Sequence, residues 1–219
     1  MRLAIHELEA ARAAMVGGQL PAAFKMLSRV ARIFEQLNNA WDVLRTMTPS
    51  EYTAFRPSLG NSSEFQSHQY RLVEFLLGNR NEALMKLHKH KAESFARLEG
   101  ELAEPSLYQV AIALLCERFS HVPLAGEPGR SDWQADQRVQ DLWQRVYEDP
   151  SAHWDLYELA EKLVDLEDYF RRWRFNHVTT VERIIGFKRG TGGTAGVSYL
   201  RKMLEVELFP ELWNFRGAL

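Results

Sequence analysis

The apolar positions of this chain recur at helical spacing almost throughout. From about residue 152 to 188, Leu159, Leu163, Leu166, Phe170, Trp173, His177, Val181 and Ile184 follow one another at steps of three and four. That rhythm places them along one face of a long amphipathic helix. Shorter stretches keep the same period: residues 1–16, closing at Gly17-Gly18; about 21–46; 64–77, closing at Gly78; 81–99; 105–119; 134–148; and a last helix from about Val197. Thr48-Pro49-Ser50-Glu51 is a capping box with proline in the first helical position, and it opens a short helix through Tyr52 and Arg56. Strand signals are missing, and the proline- and glycine-bearing stretch 121–132 reads as a loop. The expected fold is an all-α helical bundle, with residues 1–219 as a single domain. The first helix starts with no Ser, Thr, Asp or Asn to cap its free N–H groups, which predicts a segment upstream of it.

Composition narrows the function classes. Hydrophobic residues make up 46% and charged residues 26%, the balance of a soluble globular protein. A formal net charge of −2 offers no cationic surface for a polyanion, so nucleic acid is not an expected partner. No apolar run approaches the roughly 20 residues of a membrane span. Cys116 is the single cysteine, which rules out an internal disulfide and a thiolate zinc cluster. The expected setting is the reducing cytoplasm.

Three features could carry chemistry. His177 stands on the apolar stripe of the long helix. It admits two readings: a core histidine hydrogen-bonded to a neighbour, or a lone neutral imidazole facing an apolar cavity, as a haem iron needs. Zinc is less favoured, because no second ligand lies at ligand spacing on that face. His88 and His90 fall among Lys86, Lys89 and Lys91 and are expected to be solvated. The Gly190–Gly196 loop, with Thr191 and Thr194, lets backbone N–H groups approach a ligand, though such a loop can equally be a plain interhelical turn. It lacks the Gly-Lys-Ser/Thr ending of a P-loop. Tyr52 and Arg56, four apart, project from one face; together they offer a two-pronged grip on a carboxylate, one further hydrogen bond and an apolar wall. An exposed arginine beside a half-buried tyrosine is the plainer alternative. Trp41, Trp143, Trp154, Trp173 and Phe175 could line a planar cofactor's pocket or simply fill a core.

Ordered blocks along the chain resemble the tryptophan 2,3-dioxygenase family. They are Thr48-Pro-Ser-Glu-Tyr-Thr-Ala-Phe-Arg56, Phe65-Gln-Ser-His-Gln-Tyr-Arg71, Glu74-Phe-Leu-Leu-Gly78, Leu163-Val-Asp-Leu-Glu167, Trp173-Arg-Phe-Asn-His177, Arg183-Ile-Ile-Gly-Phe-Lys-Arg-Gly-Thr-Gly-Gly193 and Phe209-Pro-Glu-Leu-Trp213. The resemblance implies a haem b enzyme that adds both atoms of O₂ across C2–C3 of the indole ring of L-tryptophan, giving N-formylkynurenine, and that assembles as a homotetramer. It implies His177 as proximal iron ligand, Arg56 as partner of the substrate carboxylate, Tyr52 as its neighbour in that contact, and Thr191 as the loop residue meeting the amino-acid head group. The family's distal histidine lies in a motif that would precede residue 1, and His6 is not promoted to that role, so no residue is assigned as catalytic. Glu64 stands where the family usually has glycine and Ala195 where it usually has serine. Two alternatives stay open: a related haem enzyme oxygenating another aromatic amino acid, and an inactive haem- or tryptophan-binding remnant.

Overall fold

The computed structural model describes residues 1–60, 66–119, 135–186 and 197–218, and among these it is all-α, with no β-strand. Its helices are α1 (Arg2–Val16), α2 (Leu20–Leu44), α3 (Pro49–Phe55), α4 (His68–Leu77), α5 (Ala92–Ala103), α6 (Leu107–Arg118), α7 (Gln137–Glu148), α8 (Trp154–Ile185), α9 (Val197–Lys202) and α10 (Pro210–Asn214).

The bundle is organised by α1, α2 and α8, the last running 32 residues. α1 returns antiparallel on α2, with Glu7 on α1 paired to Arg29 on α2. α2 and α8 run in the same direction, because their contacts climb together. Phe34 meets Phe170 edge-on with centroids 5.4 Å apart, and Asn38 accepts from Asn176 at 3.2 Å. Trp41 then stacks on His177 at 5.2 Å, and Arg45 donates to Thr180 at 3.1 Å. The apolar stripe of α8 is therefore two things in succession. Leu159, Leu163, Leu166 and Phe170 are fully buried in the main core; Trp173, His177, Val181 and Ile184 are only partly buried.

Local sequence explains the boundaries. Ser67 caps α4 by accepting from the N–H of Tyr70, so the helix expected from residue 64 begins at His68. It ends at Gly78, whose φ of +131° is open to glycine and where a Cβ would lie 3.4 Å from the Cβ of Tyr108. α8 stops at Gly186, at φ +61°, before the glycine-rich loop expected to end it; that loop lies outside the described residues. The loop expected over 121–132 also falls outside them.

The single helix expected over 81–99 is a correction. A 3-10 turn over Glu82–His88 comes first, capped by Asn81, and α5 starts at Ala92 and runs on to Ala103. The break lets Met85 and His88 turn inward while Lys86, Lys89, His90 and Lys91 stay in water. His88 is thus buried, against the expectation of solvation, and desolvation pulls its pKa below the usual imidazole value.

The segment after α9 is fastened to the bundle by buried carboxylates. Glu167 on α8 accepts from the backbone N–H of Leu208 at 2.9 Å and of Phe209 at 3.0 Å. Burial pushes its pKa above the usual range while those donors pull against it. Glu211 on α10 accepts from the Tyr108 hydroxyl and from the backbone N–H of Asp136. Glu167→Ala is expected to cost about 2–4 kcal/mol in urea unfolding, because two buried donors lose their acceptor. A midpoint equal to the parent's would show that this clamp is not what holds residues 208–209.

Candidate functional site

The partly buried end of the α2–α8 seam opens into a cavity of about 250 Å³, or about 800 Å³ counting its open mouth. Trp41, Trp173 and His177 come from the seam, Tyr70 and Arg71 from α4, and Arg174 from α8. Trp173 lies 5.5 Å from His177 and 5.5 Å from Trp41, centroid to centroid, so the two indoles and the imidazole form one three-ring cluster. Tyr70 stacks on Trp173 at 5.4 Å and on Phe170 at 5.5 Å, continuing the aromatic wall down into the core.

Behind this wall sits a buried ionic cluster. The Glu74 carboxylate is fully buried and takes four donors: the Arg71 guanidinium, the Arg174 Nη2 at 3.0 Å, the Tyr70 hydroxyl at 3.0 Å and the Asn79 amide at 3.1 Å. Arg174 also gives Nε to the Tyr70 oxygen at 3.2 Å and Nη1 to the Val206 carbonyl at 2.9 Å. Burial, and next the Glu74 charge, push the Tyr70 phenol well above its ordinary pKa, so it acts as a neutral hydrogen-bond bridge. Two cations share one anion here. Among the described atoms, two buried donors at the cavity have no partner, Trp41 Nε1 and Arg71 Nε. Buried N–H groups are normally satisfied, so the pair marks a place for an acceptor.

The sequence-predicted residues divide. His177 does face this cavity. Tyr52 and Arg56 meet as their spacing requires, the guanidinium carbon 5.9 Å from the ring centroid, and both are half-buried. They do not line the cavity; they stand on α3 and the 3-10 turn after it, and α3 packs against α8. Thr191, Glu64 and Ala195 lie outside the described residues. Of the aromatic candidates, Trp41 and Trp173 wall the cavity, Trp143 is core, and Trp154 and Phe175 are exposed. Sequence reasoning missed Arg71, Glu74 and Arg174. A signal was available for Glu74, which sits in the run Leu72-Val73-Glu74-Phe75-Leu76-Leu77, where apolar neighbours on every side require burial and hence a cationic partner.

These features define a class: a helical protein that presents one imidazole to an aromatic cavity whose polar edge is cationic. The comparisons with known proteins specify it. The family described as tryptophan 2,3-dioxygenase matches residues 1–142 and 133–219. The chain is 67% identical over 222 residues to a tryptophan 2,3-dioxygenase of Ruegeria pomeroyi, covering 100% of this chain and 80% of the relative. Like-named proteins of a Bradyrhizobium species and of Burkholderia pseudomallei are 63% and 57% identical, again over 100% of this chain, and over 79% and 72% of their own lengths. The chain belongs to the tryptophan 2,3-dioxygenase family.

The α3 capping box makes a pH prediction. The backbone N–H of Thr48, and then its hydroxyl, donate to Glu51 and hold that carboxyl below its ordinary pKa. A depressed folded value means the cap is intact above the usual Glu range, near pH 4.3, and is lost as pH falls through the lower folded value. The NMR signals of the Tyr52 ring should hold steady from about pH 8 to 5 and move only below about pH 4. A transition centred near neutrality would contradict the cap.

Proposed function

We propose that this chain acts as a haem-dependent tryptophan 2,3-dioxygenase, adding both atoms of O₂ across the indole C2–C3 bond of L-tryptophan to give N-formylkynurenine. The observation that carries the reading is His177: one imidazole from a long helix, packed against two indoles and lining an apolar cavity. A haem fits the residues present. The donor set is a single imidazole, and among the described residues no group of three or more His, Cys, Asp or Glu is placed to hold a metal ion. The unpartnered Trp41 Nε1 and Arg71 Nε supply donors for the carboxylate edge of haem b. When bound, haem supplies the redox-active iron at which O₂ enters the reaction.

The chain's own residues bind, orient and exclude water. His177 would hold the iron from α8, and the ring of Trp41 stacked on it and that of Trp173 tilted against it restrict the imidazole's rotation. Tyr70 and the indoles keep the pocket apolar, which strengthens polar contacts made inside it. Arg56 takes the substrate carboxylate, and Tyr52 gives that contact a wall and a hydroxyl. Both stand on the segment that packs against α8. Thr191 meets the amino-acid head group. These roles together hold the indole in one orientation for attack, which is the protein's main contribution to rate. We further propose one domain over 1–219, a homotetramer and a cytoplasmic setting; among the described residues no helix is long and apolar enough to cross a membrane.

His177→Ala should abolish stable haem uptake, read as loss of the Soret band after titration with haemin; a normally loaded variant would refute the ligand role. Arg56→Ala should weaken L-tryptophan binding by about 2–4 kcal/mol, the penalty of losing one partner of a desolvated charge pair. Unchanged affinity would remove Arg56 from the substrate contact. Turnover itself is tested by absorbance of N-formylkynurenine with L-tryptophan against other aromatic amino acids; faster product formation from another amino acid would redirect the substrate assignment.

A further inference from the structure

We propose that the buried cluster of Arg71, Glu74 and Arg174 sets the redox poise of the haem, with Glu74 and Arg174 acting as positioning residues of opposite electrostatic effect. The inference rests on the haem reading of His177. Arg174 is three residues before His177 on α8, one helical turn away, and both line the cavity, as does Arg71. Arg174 and Arg71 are 2% and 1% exposed and Glu74 is 0% exposed, so water screens these charges little.

The cluster carries two guanidinium groups on one carboxylate, a net charge of one positive unit beside the iron's ligand. A positive field disfavours the ferric form, which carries one more positive charge than the ferrous form, and so favours the reduced iron. Geometry works in the same direction. Glu74 fixes Arg71 through one carboxylate oxygen and Arg174 through the other, and Arg174 reaches on to Val206 in the segment that follows α9. The charge is therefore held at a fixed place and cannot swing out to solvent.

The test is the ferric/ferrous midpoint potential of the haem-loaded full chain, measured for the parent, Glu74→Gln, Arg174→Gln, the double variant and Arg174→Lys. Removing the anion should raise the potential, removing the cation should lower it, and the double variant should return close to the parent because the two changes cancel in charge. Arg174→Lys keeps the charge and should stay near the parent. A merely structural role would let water in and lower the potential in every variant, so single variants that shift in the same direction, or do not shift, overturn the proposal. Should Glu74→Gln not fold, Arg174→Gln against Arg174→Lys still decides it. A fall in the first alone supports the proposal, and an equal fall in both overturns it. A parent chain that takes up no haem overturns the reading of His177 itself, and this inference with it.

Discussion

The parallel seam between α2 and α8 is the contact on which the rest of the molecule depends. Its positions advance in step on both helices: Phe34 with Phe170, Asn38 with Asn176, Trp41 with His177, Arg45 with Thr180. Through Phe170 the seam is dry core, and burial of these large apolar groups, roughly 1.5–3 kcal/mol each, fixes the helices against each other. Beyond Phe170 the same stripe is only partly covered, by the end of α2 and by α9, whose Val197 and Leu200 pack with Val178 and Val181. Its next members are an indole and an imidazole facing a cavity. The site is thus a continuation of the core by about two further turns, and the rigidity of the core is passed to the imidazole.

A second constraint comes from charge. The cavity floor holds two guanidinium groups and one carboxylate away from water, an arrangement that is destabilising unless each polar atom finds a partner. Glu74 meets that condition by taking four donors, and Arg174 by serving Glu74, Tyr70 and Val206 at once. Arg71 meets it incompletely, since its Nε has no acceptor among the described atoms, and the Trp41 Nε1 shares that condition. Stability alone would favour a more complete set of bonds. Unsatisfied donors at the edge of an aromatic cavity are better accounted for by an anionic group that binds there.

Much of the fold was legible from local pattern. The three–four rhythm of α8, the capping box before Tyr52 and the stop at Gly78 each depend on residues within a turn or two of one another, and each stands where it was expected. The helix expected over 81–99 failed because its basic run can satisfy the same burial with a tight turn and a fresh start at Ala92, a choice made by what Met85 and His88 pack against. The site was legible in its imidazole, which lines the cavity, and illegible in its support. His177 shows in the sequence as a polar residue on an apolar stripe. The partnership of Glu74 with Arg174 joins residues 100 apart in the chain, and no spacing rule reaches that far.

The account stands or falls on His177 as the iron's protein ligand. Resonance Raman spectroscopy of the ferrous, haem-loaded chain tests this directly. The account predicts an iron–histidine stretching band that shifts on ¹⁵N labelling of histidine, vanishes in His177→Gly and returns when free imidazole is added. A band that persists in His177→Gly without imidazole would contradict it.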